Sequence, residues 1–266
     1  MSVPPLFRGL FDDAAIFPPG DLPLPEAVPA HLAHRAAWYA EAVGPFLCGP
    51  GRLGELASLA GPGLRVGLVL PGGSTELVPA LKAAAGLSVV SVEVAASDVR
   101  ATVAALDGNL PSGVTAAVEL PRGARLEESL DALTDTPYRA KFRTGGLTAA
   151  AFPSVGELAA FVAGCAERAL PYKCTAGLHH AVRHTDPVTG FEHHGFLNVL
   201  LAAQAPDRAA EVLAERSGAV LATAARYLTD DQIAQLRSSF TAFGTCSIAE
   251  PLDDLAALGL LTRENR

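Results

Sequence analysis

Cysteine is scarce in this chain, and the cysteines present are poorly spaced for a structural role. The four residues are Cys48, Cys165, Cys174 and Cys246, and no two of them form a CxxC pair. A zinc ribbon and a disulfide framework both need closer or more regular spacing. The sequence therefore excludes these two classes and predicts reduced thiols.

Basic residues are also few, with 20 Lys and Arg against 28 Asp and Glu and a formal net charge of −8. Such a balance argues against a surface that neutralises nucleic-acid phosphates. No stretch of about 18 apolar residues is free of charge, and Arg8, Asp12 and Asp13 interrupt the N-terminal region before any signal-like apolar block. We expect a cytoplasmic protein that binds neither nucleic acid nor membrane.

The composition and the pattern instead favour a barrel of parallel strands. Half of the residues are hydrophobic and only 18% are charged, which is typical of strands buried on both faces. The predicted strands are Ala14–Phe17, Pro45–Cys48, Arg65–Leu70, Leu87–Val94, Val114–Leu120, Tyr138–Arg143, Pro171–Thr175 and Thr241–Ser247. Eight strands with intervening helices predict an α/β protein with a (β/α)8 (TIM) barrel in a single domain, residues 1–266.

Helical patterns separate these strands. The predicted helices are Pro25–Ala42, Leu53–Leu59, Thr75–Ala85 capped by Ser74, Asp98–Leu106, Leu126–Leu133, a helix from Ser154 to Leu170, and Glu250–Leu258. Ser154 and Glu157 have the spacing of a capping box. A flavodoxin-like or Rossmann sheet shares this alternation, but no GxGxxG follows the first strand.

The connection between the seventh and eighth strands, residues 178–240, is about twice as long as the others. We predict helices over His193–Ala203, Asp207–Tyr227 and Asp230–Phe240 in it, after a histidine-rich loop. Excess length of this kind is typical of a functional loop or an oligomer surface. A homo-oligomer is therefore among the expected states.

Catalytic groups of such barrels lie at the C-terminal ends of the strands, so polar residues there need an explanation. These polar residues are Glu93, Glu119, Lys141, Arg143, Lys173, Thr175 and Ser247. Lys141 and Arg143 are two apart on one strand, so both should point inward. Asp12 and Asp13 precede the predicted first strand, and we expect them to be capping or bottom-face residues.

Two inward lysines on neighbouring strands allow two interpretations. The structural one is an ion-pair network with Glu93 and Glu119. In the functional one, burial and the positive charge of Lys173 favour the uncharged amine of Lys141, which can then attack a carbonyl group. Lys173 and a carboxylate would handle the proton transfers that follow.

The strand ends resemble those of the class I deoxyribose-phosphate aldolases and their Schiff-base relatives. They read Ala140-Lys141-Phe142-Arg143-Thr144-Gly145-Gly146, Lys173-Cys174-Thr175-Ala176-Gly177 and Gly244-Thr245-Cys246-Ser247. The resemblance implies an imine-forming lysine at Lys141, a second lysine at Lys173 and a phosphate-binding end on the eighth strand. It also places Glu93 and Glu119 near the family's carboxylates on its fourth and fifth strands.

The chain departs from that family at three positions. Arg143 stands where the family has a small hydroxylic residue, Leu178 where a second Gly would admit a phosphate, and Glu93 where it has Asp. Because Arg binds planar anions bidentately, Arg143 favours a carboxylate over a sugar phosphate. Further anion-binding candidates are Gly145, Gly146, Thr175, Gly177, His179, Gly244 and Ser247.

Five of the seven histidines follow the seventh strand. They are His179, His180, His184, His193 and His194, with Asp186 among them. Such a cluster suits a divalent metal such as zinc, although its spacing matches no standard metal motif. The alternatives are a lid that brings one or two of these histidines over the substrate as acid–base groups, and solvated loop histidines.

The preferred prediction is a lyase of the aldolase type that needs no cofactor. Lys141 forms a Schiff base with a small anionic carbonyl compound or a phosphorylated metabolite, and the other catalytic residues are Lys173, Glu93, Glu119 and His180. One alternative is a metal-dependent lyase, isomerase or hydrolase that uses the His179–His194 segment. The other is a non-catalytic barrel that acts as a binding or scaffold protein. Nucleophilic roles for Cys48 and Cys246 are weaker candidates.

Overall fold

The fold is a closed barrel of eight parallel strands. A computed structural model describes residues 2–262. The barrel strands are β1 (Phe11–Asp13), β2 (Val43–Cys48), β3 (Arg65–Leu70), β4 (Ser88–Ala95), β5 (Thr115–Glu119), β6 (Arg139–Arg143), β7 (Tyr172–Thr175) and β10 (Phe240–Thr245). Each strand pairs in parallel with the next, and β1 pairs with both β2 and β10 to close the ring. The predicted (β/α)8 barrel is confirmed.

Helices surround the barrel and connect successive strands. They are α1 (Leu24–Ala36), α2 (Leu53–Leu59), α3 (Leu77–Ala83), α4 (Val99–Asn109), α5 (Leu126–Asp131), α6 (Val155–Glu167), α7 (Phe196–Gln204), α8 (Ala209–Ala214), α9 (Gly218–Arg226), α10 (Asp230–Ser239) and α11 (Ala249–Ala257). The capping box is confirmed, because Ser154 Oγ accepts from the Glu157 amide and the Glu157 carboxylate accepts from the Ser154 amide. Ser74 makes no capping bond, since a 3-10 turn over Ser74–Glu76 precedes α3.

The segment Ala149–Glu167 is, by length and composition alone, apolar enough to cross a membrane. In the fold it forms a 3-10 turn followed by α6. One face of α6 buries Leu158, Phe161 and Val162 in the core, and Phe161 stacks on Phe142 of β6. Its apolar residues are therefore explained by packing on the barrel.

The first strand lies earlier than predicted. It spans Phe11–Asp13, and Ala14–Phe17 belongs to the loop that follows it. Asp12 and Asp13 are consequently buried strand residues, so the expectation of capping or bottom-face positions is wrong. Helix α1 is also shorter than predicted, because it ends at Ala36, before Trp38 and Tyr39.

Between β7 and β10 the chain forms a two-stranded hairpin and four helices. The hairpin strands β8 (His184–Thr185) and β9 (Glu192–His193) pair in antiparallel fashion, so His193 lies in a strand and not at a helix start. The helix predicted over 207–227 is divided into α8 and α9. The Asn198 side-chain amide donates to the Val212 and Glu215 carbonyls, and Ser217 caps α9.

Candidate active site

Five charged side chains fill the interior of the barrel, and we call them the lysine cluster: Asp12, Glu93, Glu119, Lys141 and Lys173. Lys141 Nζ lies 2.6 Å from Glu93 Oε2 and 2.9 Å from Glu119 Oε2. Lys173 Nζ donates to Asp12 and to the other oxygen of Glu93. Glu93 therefore bridges the two lysines.

Strand register produces this arrangement. Glu119 on β5, Lys141 on β6 and Lys173 on β7 are direct neighbours across the sheet. Asp12 reaches Lys173 because β10 alone separates β1 from β7 in the closed ring. The side chains of all five residues therefore meet in the interior of the barrel, where all but Glu119 are fully buried.

The two lysines have different surroundings, and their chemistry should differ. Burial acts to lower the pKa of Lys173, but the charges of Asp12 and Glu93 outweigh it and raise the pKa. Burial acts to raise the pKa of Glu93, yet Lys141 and Lys173 together hold it at about 2. Glu93 is thus ionised near neutral pH, and Lys173 keeps its proton. Lys173 contacts Asp12 and Glu93, so Glu93 is the predicted carboxylate within its reach, whereas Glu119 contacts Lys141.

Arg143 extends the cluster toward solvent. Its Nε lies 2.9 Å from Glu119 Oε1, and its side chain is 46% exposed. Burial acts to raise the pKa of Glu119, but Lys141 and Arg143 outweigh this effect and lower it. Glu119 therefore connects the buried lysine to an accessible guanidinium group.

A cavity of about 690 Å³ opens above the lysine cluster. Lys141 and Arg143 line it, together with residues from the loops that follow β1, β6, β7 and β10. Lys173 is not among the described residues that line this cavity. Of the two cluster lysines, Lys141 is therefore the one that borders the cavity, with 2% of its side chain exposed.

Most of the predicted anion-binding residues also line the cavity. They are Gly146, Thr175, Gly177, His179, Gly244 and Ser247. Gly145 does not line the cavity. A Cβ atom at this position would lie 2.7 Å from Gly177 Cα. The backbones of these two strand ends pack directly on each other, so Gly145 is required for that close approach.

The histidine-rich segment covers one side of the cavity. His179 Nδ1 lies 2.9 Å from Glu250 Oε2, and His180 Nδ1 lies 3.2 Å from Asp254 Oδ2. The rings of His180, His184 and His193 contact one another in sequence. Each of these four histidines lines the cavity.

His194 differs from the other four. It is fully buried, and its Nε2 lies 2.9 Å from the Pro153 carbonyl, which anchors the hairpin to the start of α6. Burial, with a contribution from Arg183, lowers the pKa of His194 to about 4, so the ring is neutral at pH 7. Among residues 2–262, no three His, Cys, Asp or Glu side chains are grouped to hold a metal ion.

The two thiols considered as nucleophiles are not activated. Burial raises the pKa of Cys48 and that of Cys246 to about 11 in each case. Cys246 Sγ does lie 3.6 Å from both ring nitrogens of His179. A thiol with this pKa is almost entirely protonated at pH 7 and is a poor nucleophile.

Sequence reasoning missed Asp12, which completes the lysine cluster. The available signal was a pair of carboxylates, Asp12 and Asp13, inside an otherwise apolar run from Leu10 to Ile16. Asp13 has a separate function, because its Oδ2 lies 2.9 Å from Nδ1 of the buried His31 on α1. That pair fixes α1 to the end of β1.

Comparison with known proteins yields a distant structural similarity and no family assignment. No protein-family model matches the chain, and no curated protein matches it. One similar solved structure is the carboxyl transferase domain from Rhizobium etli pyruvate carboxylase with pyruvate and biocytin. The identity is 12% and the TM-score 0.43, and the match covers 90% of this chain and 40% of that one. The chain thus spans about two fifths of the length of that structure. What the chain's own geometry defines is a (β/α)8 barrel with a buried pair of lysines beneath an open cavity.

Proposed function

We propose that this chain is an aldolase-type enzyme in which Lys141 forms an imine with a small anionic carbonyl compound. The observation that carries the proposal is the difference between the lysines: Lys141 lines the cavity, while Lys173 is held as a cation beneath it. A reactive amine needs both access to substrate and a nearby proton acceptor. Lys141 has both.

The neighbours of Lys141 match the proton transfers of imine formation. Lys141 first loses a proton to Glu119, which contacts Lys141 and is the more exposed of its two carboxylate partners, at 15% against 2% for Glu93. The amine then attacks the carbonyl carbon to give a carbinolamine. Glu119 returns the proton to the departing hydroxyl group, so water leaves and the imine forms. Arg143 would bind the carboxylate of the compound through the part of its guanidinium group that faces the cavity.

The central experiment uses the low lysine content of the chain. Lys82, Lys141 and Lys173 are its only lysines, and Lys82 lies exposed on α3. The protein is incubated with pyruvate or acetaldehyde, reduced with borohydride and digested with trypsin. We expect one reduced adduct, at Lys141, which also blocks cleavage after that residue.

Three variants distinguish the proposal from non-specific labelling. Lys141→Arg should abolish the adduct, and Lys82→Arg should leave it unchanged. Lys173→Met should slow trapping and shift the pH profile of trapping to higher pH. Glu93 would then have Lys141 as its remaining lysine partner and would stabilise the Lys141 ammonium ion more strongly. An adduct that persists in Lys141→Arg contradicts the proposal.

The metal-dependent alternative stays a prediction with its own test. It predicts bound metal in the purified protein and loss of activity with a chelator. The scaffold alternative predicts that no carbonyl compound in a broad panel is trapped. Closed ion pairs in the lysine cluster favour that alternative, whereas the open cavity above Lys141 favours catalysis.

A further inference from the structure

The two sides of the cavity differ in polarity. The side formed by β6, β7, β10 and their loops carries Lys141, Arg143 and the histidines. The opposite side follows β1, β2 and β3 and is apolar. Its lining residues are Ala14, Phe17, Pro18, Pro19, Leu47 and Val69.

The apolar side is part of the barrel itself. Leu47 on β2 is buried and reaches across the interior, where a Cβ at Gly67 would lie 2.6 Å from its Cδ2 and one at Gly244 would lie 3.4 Å from its Cδ1. Gly67 thus leaves room for this leucine, whereas Gly244 lies at ordinary contact distance from it. Val69 on β3 is the direct neighbour of Glu93 on β4, so the apolar side ends beside the lysine cluster.

The cavity is also much larger than a three-carbon substrate requires. Its 690 Å³ corresponds to roughly twenty water molecules at about 30 Å³ each. Pyruvate has about six non-hydrogen atoms and would occupy only the region near Lys141. Polyhydroxylated substrates would leave hydroxyl groups without partners against Leu47 and Val69, which is unfavourable.

We propose that the substrate is an amphipathic carbonyl compound. An alkyl or aryl body packs on the side formed by β1–β3, and the carbonyl and anionic groups meet Lys141 and Arg143 on the other side. This inference rests on the proposed imine chemistry and specifies its substrate class. The predicted substrate is therefore a hydrophobic 2-oxo acid or aldehyde and not a sugar phosphate.

Chain-length dependence of borohydride trapping tests the inference. Pyruvate is compared with 2-oxohexanoate, which carries three more methylene groups, and with glyceraldehyde 3-phosphate. Burial of one methylene group is worth about fourfold in binding, so trapping efficiency should rise by up to about sixtyfold from pyruvate to 2-oxohexanoate. More efficient trapping of glyceraldehyde 3-phosphate than of 2-oxohexanoate would overturn the inference.

A pair of variants locates the apolar body. Phe17→Asn, on the apolar side, should remove most of the preference for 2-oxohexanoate over pyruvate. Leu147→Asn is the matched control, because Leu147 lines the same cavity after β6 and is 77% exposed. It should leave the preference intact. Equal effects of the two substitutions would contradict the assignment of sides.

A binding measurement separates this inference from the imine chemistry. Saturation-transfer NMR in the Lys141→Arg variant compares hexanoate with glycerol 3-phosphate, neither of which can form an imine. We expect hexanoate to bind more strongly, and Phe17→Asn to weaken it. If no carbonyl compound is trapped but hexanoate still binds in this way, imine formation is wrong and the amphipathic site stands. If hexanoate does not bind, the inference fails.

Discussion

Glu93 and Glu192 each bridge two cations, and they differ in where they do so. Glu93 joins Lys141 and Lys173 inside the barrel, with 2% of its side chain exposed. Glu192 joins Arg183 and Arg216 on the hairpin, with 40% exposed. The contacts are alike, but one carboxylate lies in a medium of low dielectric constant and the other beside water.

The comparison shows that ion-pair geometry does not by itself determine energetic importance. Water competes for Glu192 and screens its charges, so its pairs should contribute little to stability. Water cannot reach Glu93, and loss of its charge would leave two buried ammonium groups with one carboxylate each. We therefore expect the barrel interior to be fixed and the hairpin to be adjustable.

The largest expected effect is that of Glu93→Gln. The substitution keeps the shape and removes the shared negative charge, so the free energy of unfolding should fall by about 3–5 kcal/mol. Urea denaturation at pH 7, with circular dichroism as the readout, measures it. A loss under about 1 kcal/mol would show that the lysines find other partners and that burial is not the deciding factor.

The second prediction separates the two regions by pH. The pKa of His194 is lowered from 6.5 to about 4, so the unfolded chain binds a proton first as the pH falls. The contribution of neutral His194 to the free energy of unfolding is fully present above about pH 6.5 and is lost as the pH falls toward 4. The pKa of Glu93 is lowered from 4.5 to about 2, so its contribution is lost only between about pH 4.5 and 2.

Replacement of one histidine tests this order. His194→Gln can still donate to the Pro153 carbonyl but does not titrate. Between pH 7.5 and 4.5 the wild-type protein should lose about 2–3 kcal/mol more than the variant, as measured by urea denaturation at both pH values. His180→Gln is the control, because the His180 side chain is 47% exposed. Equal pH dependence of wild type and His194→Gln would mean that His194 is protonated without loss of the fold.

The sequence predicts the barrel interior better than the hairpin, for physical reasons. Lys141 and Arg143 could be placed because side chains alternate along a strand and neighbouring parallel strands end at the same edge. Asp12 could not be placed in the same way, because its partner Lys173 is 161 residues away along the chain. The pairing of β1 with β10, which brings the two residues together, produces no local pattern in the sequence. The strands β8 and β9 have two residues each, which is too short for any periodicity.

The smallest expected effect is that of Glu192→Gln. This substitution removes the charge that joins Arg183 and Arg216, but the amide can still accept from Thr185, and both guanidinium groups can turn to water. Because exposed ion pairs contribute at most about 1 kcal/mol, the free energy of unfolding should change by less than that amount. Amide hydrogen exchange should nevertheless accelerate in residues 184–193, while the barrel strands keep their protection.

The matched comparison is Glu93→Gln, which should accelerate exchange throughout the barrel. If Glu192→Gln destabilises the protein as strongly as Glu93→Gln does, exposure is not what distinguishes the two bridges, and the hairpin is as integral to the fold as the lysine cluster.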